Sequence, residues 1–149
     1  MNFSWNNKNN QNNKINIKDN YRKIIENFCN KFYATYDNNI NELYKYFYDD
    51  AYITCSISTQ NPCYTTFNEF TGCNDVINKL YDLNILNFTH HSINISGQPL
   101  DNDSILLNIH GIIYINNSLI KNKYIETIVL QRNNQGNFYI NNLIIKILN

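Results

Sequence analysis

Three histidines, His90, His91 and His110, and the carboxylate of Glu126 are the side chains in this sequence best suited to moving a proton. An imidazole oriented by a carboxylate is a common general acid–base pair, and the two must lie within hydrogen-bond reach. Neighbours in a strand point to opposite faces, so His90 and His91 cannot chelate one ion. Strict alternation groups His91 with Ile93 and Ile95, and His110 with Asn108 and Tyr114. The two rings then sit on opposite phases of their strands, and neither stretch carries an Asp or Glu. Glu126, one strand further on, is the only candidate to orient an imidazole. The histidines read as hydrogen-bonded structural residues, and no catalytic residue is assigned.

Other polar groups carry less chemistry. Asp49-Asp50 and Asp101-x-Asp103 fall where the chain turns, and Asp82 where a helix ends, which is ordinary turn and helix-end usage. Cys29, Cys55, Cys63 and Cys73 form no C-x-x-C pair and have no His at zinc-finger spacing. No metal and no cofactor is expected.

At 149 residues the chain has the length of one domain, large enough for its own core. Its formal net charge is zero, with Lys and Arg scattered singly, so direct nucleic-acid binding is not expected. No apolar run approaches the ~18 residues that span a bilayer, and the polar start has no apolar signal core. The expected setting is the cytoplasm, with thiols reduced. Several Asn-x-Ser/Thr triplets are what an Asn-rich chain produces by chance.

The positioning elements follow from periodicity. Residues 1–17, Asn- and Lys-rich, read as a disordered tail, and residues 18–149 as the folded domain. Trp5 reads as a lone surface aromatic, with a short partner- or self-docking contact as the alternative. From an N-cap at Asp19, residues Ile24, Ile25, Phe28, Phe32 and Tyr36 share one helical face. A shorter helix carries Ile40, Leu43, Tyr44 and Phe47. Ala51–Ile57 reads as a strand, "STQNPCYTT" as a loop and Thr66–Thr71 as a short strand. Gly72 opens a third helix striped by Val76, Ile77, Leu80 and Leu83. Four long strands then follow, with turns at "GQPLDND", "NNS" and "NNQG". This is an α+β order, helices covering one face of a bent sheet. The other face, with Leu106, Ile112, Tyr114 and Thr127 or Ile128, would be hidden economically in a homodimer.

Phe28 to Ile53 contains nine Phe and Tyr residues and no Pro or Gly. Aromatics serve cores and interfaces alike, so the residues alone leave both uses open. The order of elements and several strings resemble the nuclear transport factor 2 family from about Tyr21 to Ile147. The strings are "FCNKFYATYDNN", "LYKYFYDDAYIT", "FTGCNDVINKL", "HHSI" with "GQPLDNDSILLNIHG", and "YIETIVLQRNNQGNFYINNLI". The resemblance implies a cone in which three helices pack on a strongly bent, mostly antiparallel sheet.

Functional expectations also follow from that resemblance. The family's transport factor carries the GTPase Ran through an acidic pair in one turn, which here reads Asn116-Asn117-Ser118. Its Trp-Glu pair is also missing, since the chain has Cys55-Ser56-Ile57, so Ran binding is not carried over. A stress-granule relative that binds Ras-GAP grips Phe-Gly-Asp-Phe peptides between the first two helices and the last strand. Its groove residues match Phe28, Tyr46 and Phe138, with Lys31 and Lys45 alongside. Tyr21 stands where the transport factor has a tryptophan that helps bind Phe-Gly repeats. Phe32, Tyr36 and Phe47 are expected in the core. The expected function is a non-catalytic interaction or transport adaptor for Phe-Gly-containing peptides, with recognition of nucleoporin-like repeats as the alternative. An isomerase or dehydratase in the cone, with His91 or His110 beside Glu126, is the third reading.

Overall fold

The structure, a computed structural model, describes the backbone of residues 15–60 and 63–148, and their side chains except at 59, 60 and 63–67. The tail expected at residues 1–17 lies outside the described residues as far as residue 14, and Trp5 with it. Helix α1 spans Ile17–Asn38 and starts earlier than the Asp19 cap would have it. Asn16 is the N-cap, its side chain accepting the Lys18 N–H at 3.0 Å. The earlier start brings Ile17, 2% exposed, into the core.

A single residue, Asn39, separates α1 from a 3-10 helix, Ile40–Tyr46. Strands β1 (Phe47–Gln60) and β2 (Cys63–Thr71) follow, then α2 (Cys73–Asp82) and strands β3 (Phe88–Pro99), β4 (Ser104–Ile115), β5 (Asn122–Arg132) and β6 (Phe138–Leu148). One six-stranded sheet has the order β2-β1-β6-β5-β4-β3, antiparallel throughout except for the β1–β6 pair. No helix among the described residues is long and apolar enough to cross a membrane.

Two local expectations need correction. Most of the loop expected at "STQNPCYTT" is strand, because β1 and β2 pair continuously from Tyr52↔Thr71 to Gln60↔Cys63. Leu83 leaves the α2 stripe: it is the C-cap, its N–H bonded to the Lys79 carbonyl, and is 47% exposed.

The β3 alternation also breaks. The β3–β4 register shifts between His91 and Asn94, with Ser92 at a positive φ of 53°. An extra residue in one strand exchanges its faces. Phe88 and His90 therefore turn inward before the bulge, and Ile95 sits opposite inward-facing Ile109 after it. Gly111 makes room for this, since a Cβ there would lie 2.8 Å from the His91 carbonyl oxygen and 2.9 Å from that of Ser92.

The core lies between the helices and the inner face of the sheet. Phe32 (0% exposed), Tyr36 and Phe47 are buried there, with Ile105, Leu107, Ile109, Ile128 and Leu130 from the strands. The outer face presents Leu106, Ile112, Tyr114, Ile125, Thr127 and Val129 half-buried and Ile144 exposed, while Ile128 points inward.

Candidate functional site

Helical geometry builds one wall of a groove. Ile24, Phe28 and Lys31, spaced four and three apart, share one face of α1. Tyr46 closes the 3-10 helix and is tied to α1: its hydroxyl lies 2.9 Å from Thr35 Oγ1 and donates to the Lys31 carbonyl at 3.3 Å. The Phe28 ring stacks on Phe32 at 5.5 Å and meets Tyr46 edge-on at 5.9 Å. The opposite wall is Phe138, the first residue of β6. The preceding turn is held by Asn133, whose side chain accepts the N–H groups of Gln135 and Asn137 at 3.0 and 2.9 Å.

These parts enclose an open hollow of about 530 Å³. Phe28, Lys31, Lys45, Tyr46 and Phe138 all line it, joined by Ile15 and Ile24. Phe28 is mostly buried, as a floor would be, whereas Tyr46 and Phe138 are half-exposed. The rim is cationic, though Lys45 is already paired with Glu42. Lys31 is exposed and has no ion-pair partner among the described residues. Tyr21 lies elsewhere. It borders a second hollow of about 440 Å³ on the other flank of α1, with Arg22, Glu26, Ile95 and Ser96.

Arg132 braces the groove from behind. Its guanidinium donates to the Ile15 carbonyl at 2.6 Å, the Asn102 carbonyl at 2.6 Å and Asp103 Oδ1 at 3.0 Å. The same group lies 5.8 Å from the Phe138 ring centroid. Sequence reading had no signal for it, because its partners lie 29 and 117 residues away.

The histidine buried beside Glu126 is His90, not His91 or His110, which are exposed on the outer face. His90 Nε2 is 3.6 Å from Glu126 Oε1, and Tyr33 donates to the same oxygen at 3.3 Å. The carboxylate that orients His90 is Asp37, at the end of α1, whose Oδ1 lies 2.5 Å from Nδ1. Asp37 was hidden in "DNN", which reads only as a helix stop. Burial is the largest influence on His90 and lowers its pKa, but the hydrogen bond to Asp37 and the nearby Glu126 and Asp37 carboxylates together raise it above the usual 6.5. Tyr33, Tyr36 and Tyr124 pack around the ring at 5.0, 4.6 and 4.9 Å.

An imidazole between two carboxylates could exchange protons with a substrate given room for one. The His90 side chain is 0% exposed. Neither hollow beside α1, nor the thin apolar seam under α2, is lined by His90, Asp37 or Glu126. Burial pushes the thiols of Cys29 and Cys73 up to about 12 and that of Cys55 to about 11, Glu126 adding to the effect on Cys29 and Cys55. Such thiols stay protonated and are poor nucleophiles. Among the described residues no group of His, Cys, Asp or Glu is placed to hold a metal.

Comparison with curated protein sequences finds no match. Solved structures are similar in fold. Nuclear transport factor 2 from Cryptosporidium parvum superposes with a TM-score of 0.66 at 19% identity, covering 86% of this chain and 94% of that one. The yeast UBP3-associated protein BRE5 gives 0.61 at 22% identity, covering 85% and 95%. Hexachlorocyclohexane dehydrochlorinase LinA-type3 from Novosphingobium barchaimii gives 0.60 at 14% identity, covering 85% and 86%. The fold thus serves a transport factor, an associated protein of another enzyme, and an enzyme in its own right. The nuclear transport factor 2 (NTF2) domain pattern matches residues 24–147, almost the whole described chain, and the protein belongs to that family.

Proposed function

We propose that this protein is a non-catalytic interaction adaptor whose groove between α1, the 3-10 helix and the start of β6 takes Phe-containing linear motifs of the Phe-Gly type. One observation carries the reading. Phe28 and Lys31, Lys45 and Tyr46, and Phe138 come from three separate parts of the chain and line one open hollow. An apolar floor of aromatic rings suits a partner's benzyl side chains. Lys31 at the rim suits an acidic residue between two such rings. A peptide that orders on binding would be held weakly and reversibly. The association recorded in the name of BRE5 is in keeping with this class of function.

Tyr21 favours a second reading, recognition of Phe-Gly nucleoporin repeats, because it edges a separate hollow on the far flank of α1. The two readings predict different variants. A labelled Phe-Gly-Asp-Phe peptide should lose binding to Phe138→Ala and keep it with Tyr21→Ala, with a Phe-x-Phe-Gly peptide as comparator. The reverse pattern would move the function to the Tyr21 hollow, and no binding of either peptide would end both readings. The His90 cluster is assigned a structural role: its imidazole is fully buried among Tyr33, Tyr36 and Tyr124 and lines neither hollow beside α1. The half-apolar outer face around Val129 and Ile144 is assigned to a homodimer. Ran is not assigned as a partner. An adaptor of this kind would work in the cytoplasm or at the nuclear envelope.

A further inference from the structure

Ile15, where the described chain begins, is itself part of the groove wall. Its carbonyl is held by Arg132 Nη1 at 2.6 Å, so residues 1–14 depart from the rim of the aromatic hollow. Those residues are MNFSWNNKNNQNNK: apart from Met1, two large aromatics, Phe3 and Trp5, in a polar stretch without an acidic residue. Nine residues separate Trp5 from Ile15, enough to reach about 30 Å when extended. The groove wall from Ile24 to Lys31 is only about 10 Å long at 1.5 Å per helical residue, so the segment can fold back across it with slack.

We infer that Phe3-Ser4-Trp5 is a built-in occupant of this groove, docking in cis where a partner's Phe-containing motif would bind. The inference rests on the groove reading above and adds its regulation. Trp5 offers Lys31 the aromatic face that best attracts a cation, and Phe3 is a benzyl group of the kind the floor accommodates. Tethering supplies the affinity that a short segment lacks: a short linker gives an effective concentration of about 1 mM. Against an intrinsic dissociation constant of about 100 μM, that keeps the groove roughly tenfold less available to an outside peptide. A true partner must then outcompete the segment, which screens out weak chance encounters.

Trp5 is the sole tryptophan, so its fluorescence reads this contact directly. The full chain should emit to the blue of a synthetic peptide of residues 1–14. The shift should vanish in Phe138→Ala, checked for folding by circular dichroism, and on saturation of the wild-type chain with the Phe-Gly-Asp-Phe peptide. Emission equal to that of the free peptide, or a blue shift that survives both treatments, overturns the inference. A blue shift that fades on dilution places the segment in a second copy's groove and overturns docking in cis. The full-length double variant Phe3→Ser, Trp5→Ser should bind the peptide about tenfold more tightly than wild type. Equal binding removes the built-in occupant alone, whereas no binding to either chain removes the groove reading.

Discussion

Asp37 closes two hydrogen bonds on a single residue: Oδ2 accepts the backbone N–H of His90 at 3.0 Å, and Oδ1 lies 2.5 Å from its Nδ1. The pair locks the last turn of α1 to the start of β3. Replacing Asp37 with alanine strands two buried donors, at about 1–3 kcal/mol each. Asp37→Ala should therefore lower the urea midpoint by an amount worth about 2–6 kcal/mol with an unchanged slope. An unmoved midpoint would show that the lock carries no weight.

The same pair sets a pH dependence. Folded His90 holds its proton more tightly than the usual 6.5, the carboxylates outweighing burial. The stabilisation is complete below that unfolded value and is lost as pH rises through the raised folded value. Stability should decline from pH 6.5 upward in wild type and flatten in His90→Gln. Denaturation midpoints measured across that range decide it, and parallel curves would remove the linkage.

Gly111 carries the β3 bulge on its bare backbone, with carbonyl oxygens 2.8 and 2.9 Å from where a Cβ would stand. Backbone cannot swing aside as a flexible side chain can. Gly111→Ala should cost about 1–3 kcal/mol and change amide shifts at His91 and Ser92 in NMR spectra. A neutral effect would mean that the bulge can relax.

In the groove, Phe138 is the better probe than Phe28, which is mostly buried and stacked on the core residue Phe32. Phe28→Ala should lose about 3–5 kcal/mol of stability whatever it does to binding. Phe138→Ala, half-exposed, should weaken peptide binding at least tenfold by calorimetry, the loss of about 1.4 kcal/mol or more. Lys31→Glu should weaken an acidic peptide further, and less so at high salt. Binding untouched by both variants places the peptide elsewhere.

Val129→Lys tests the homodimer proposed for the outer face: it should shift sedimentation toward monomer, because a charge introduced there would have to be desolvated in the contact. Identical sedimentation of variant and wild type at the same concentration would exclude this face as the dimer contact.

The elements were legible wherever one period ran unbroken. Phe28, Phe32 and Tyr36 on α1, and Ile105, Leu107 and Ile109 on β4, stand as their spacing implies. The reading failed at single-residue irregularities. The bulge at Ser92 exchanged the faces of β3, so the inward histidine is His90 and not His91. Asp37 and Arg132 were illegible for a different reason. Their partners are 53 residues away for Asp37 and as many as 117 for Arg132, and nothing local in either stretch encodes such a meeting. Tyr46 and Phe138 entered the groove through the resemblance, since aromatics in a rich background carry no signal of their own.

The final strand, β6, is neighbour to β1 on one side and β5 on the other, in the middle of the sheet. The keystone is thus the last piece of this domain to leave the ribosome. Until Phe138 onward emerges, α1 with the β1–β2 hairpin and the β3–β5 meander are two half-sheets with raw edges, each able to pair with a stranger. Closing them joins β1 to β6, strands whose partners stand about 90 residues apart, as in Tyr52↔Asn142, so assembly is slow and waits for the last strand of the domain. A nonsense codon at the start of β6 would cut the domain in two, not merely shorten it.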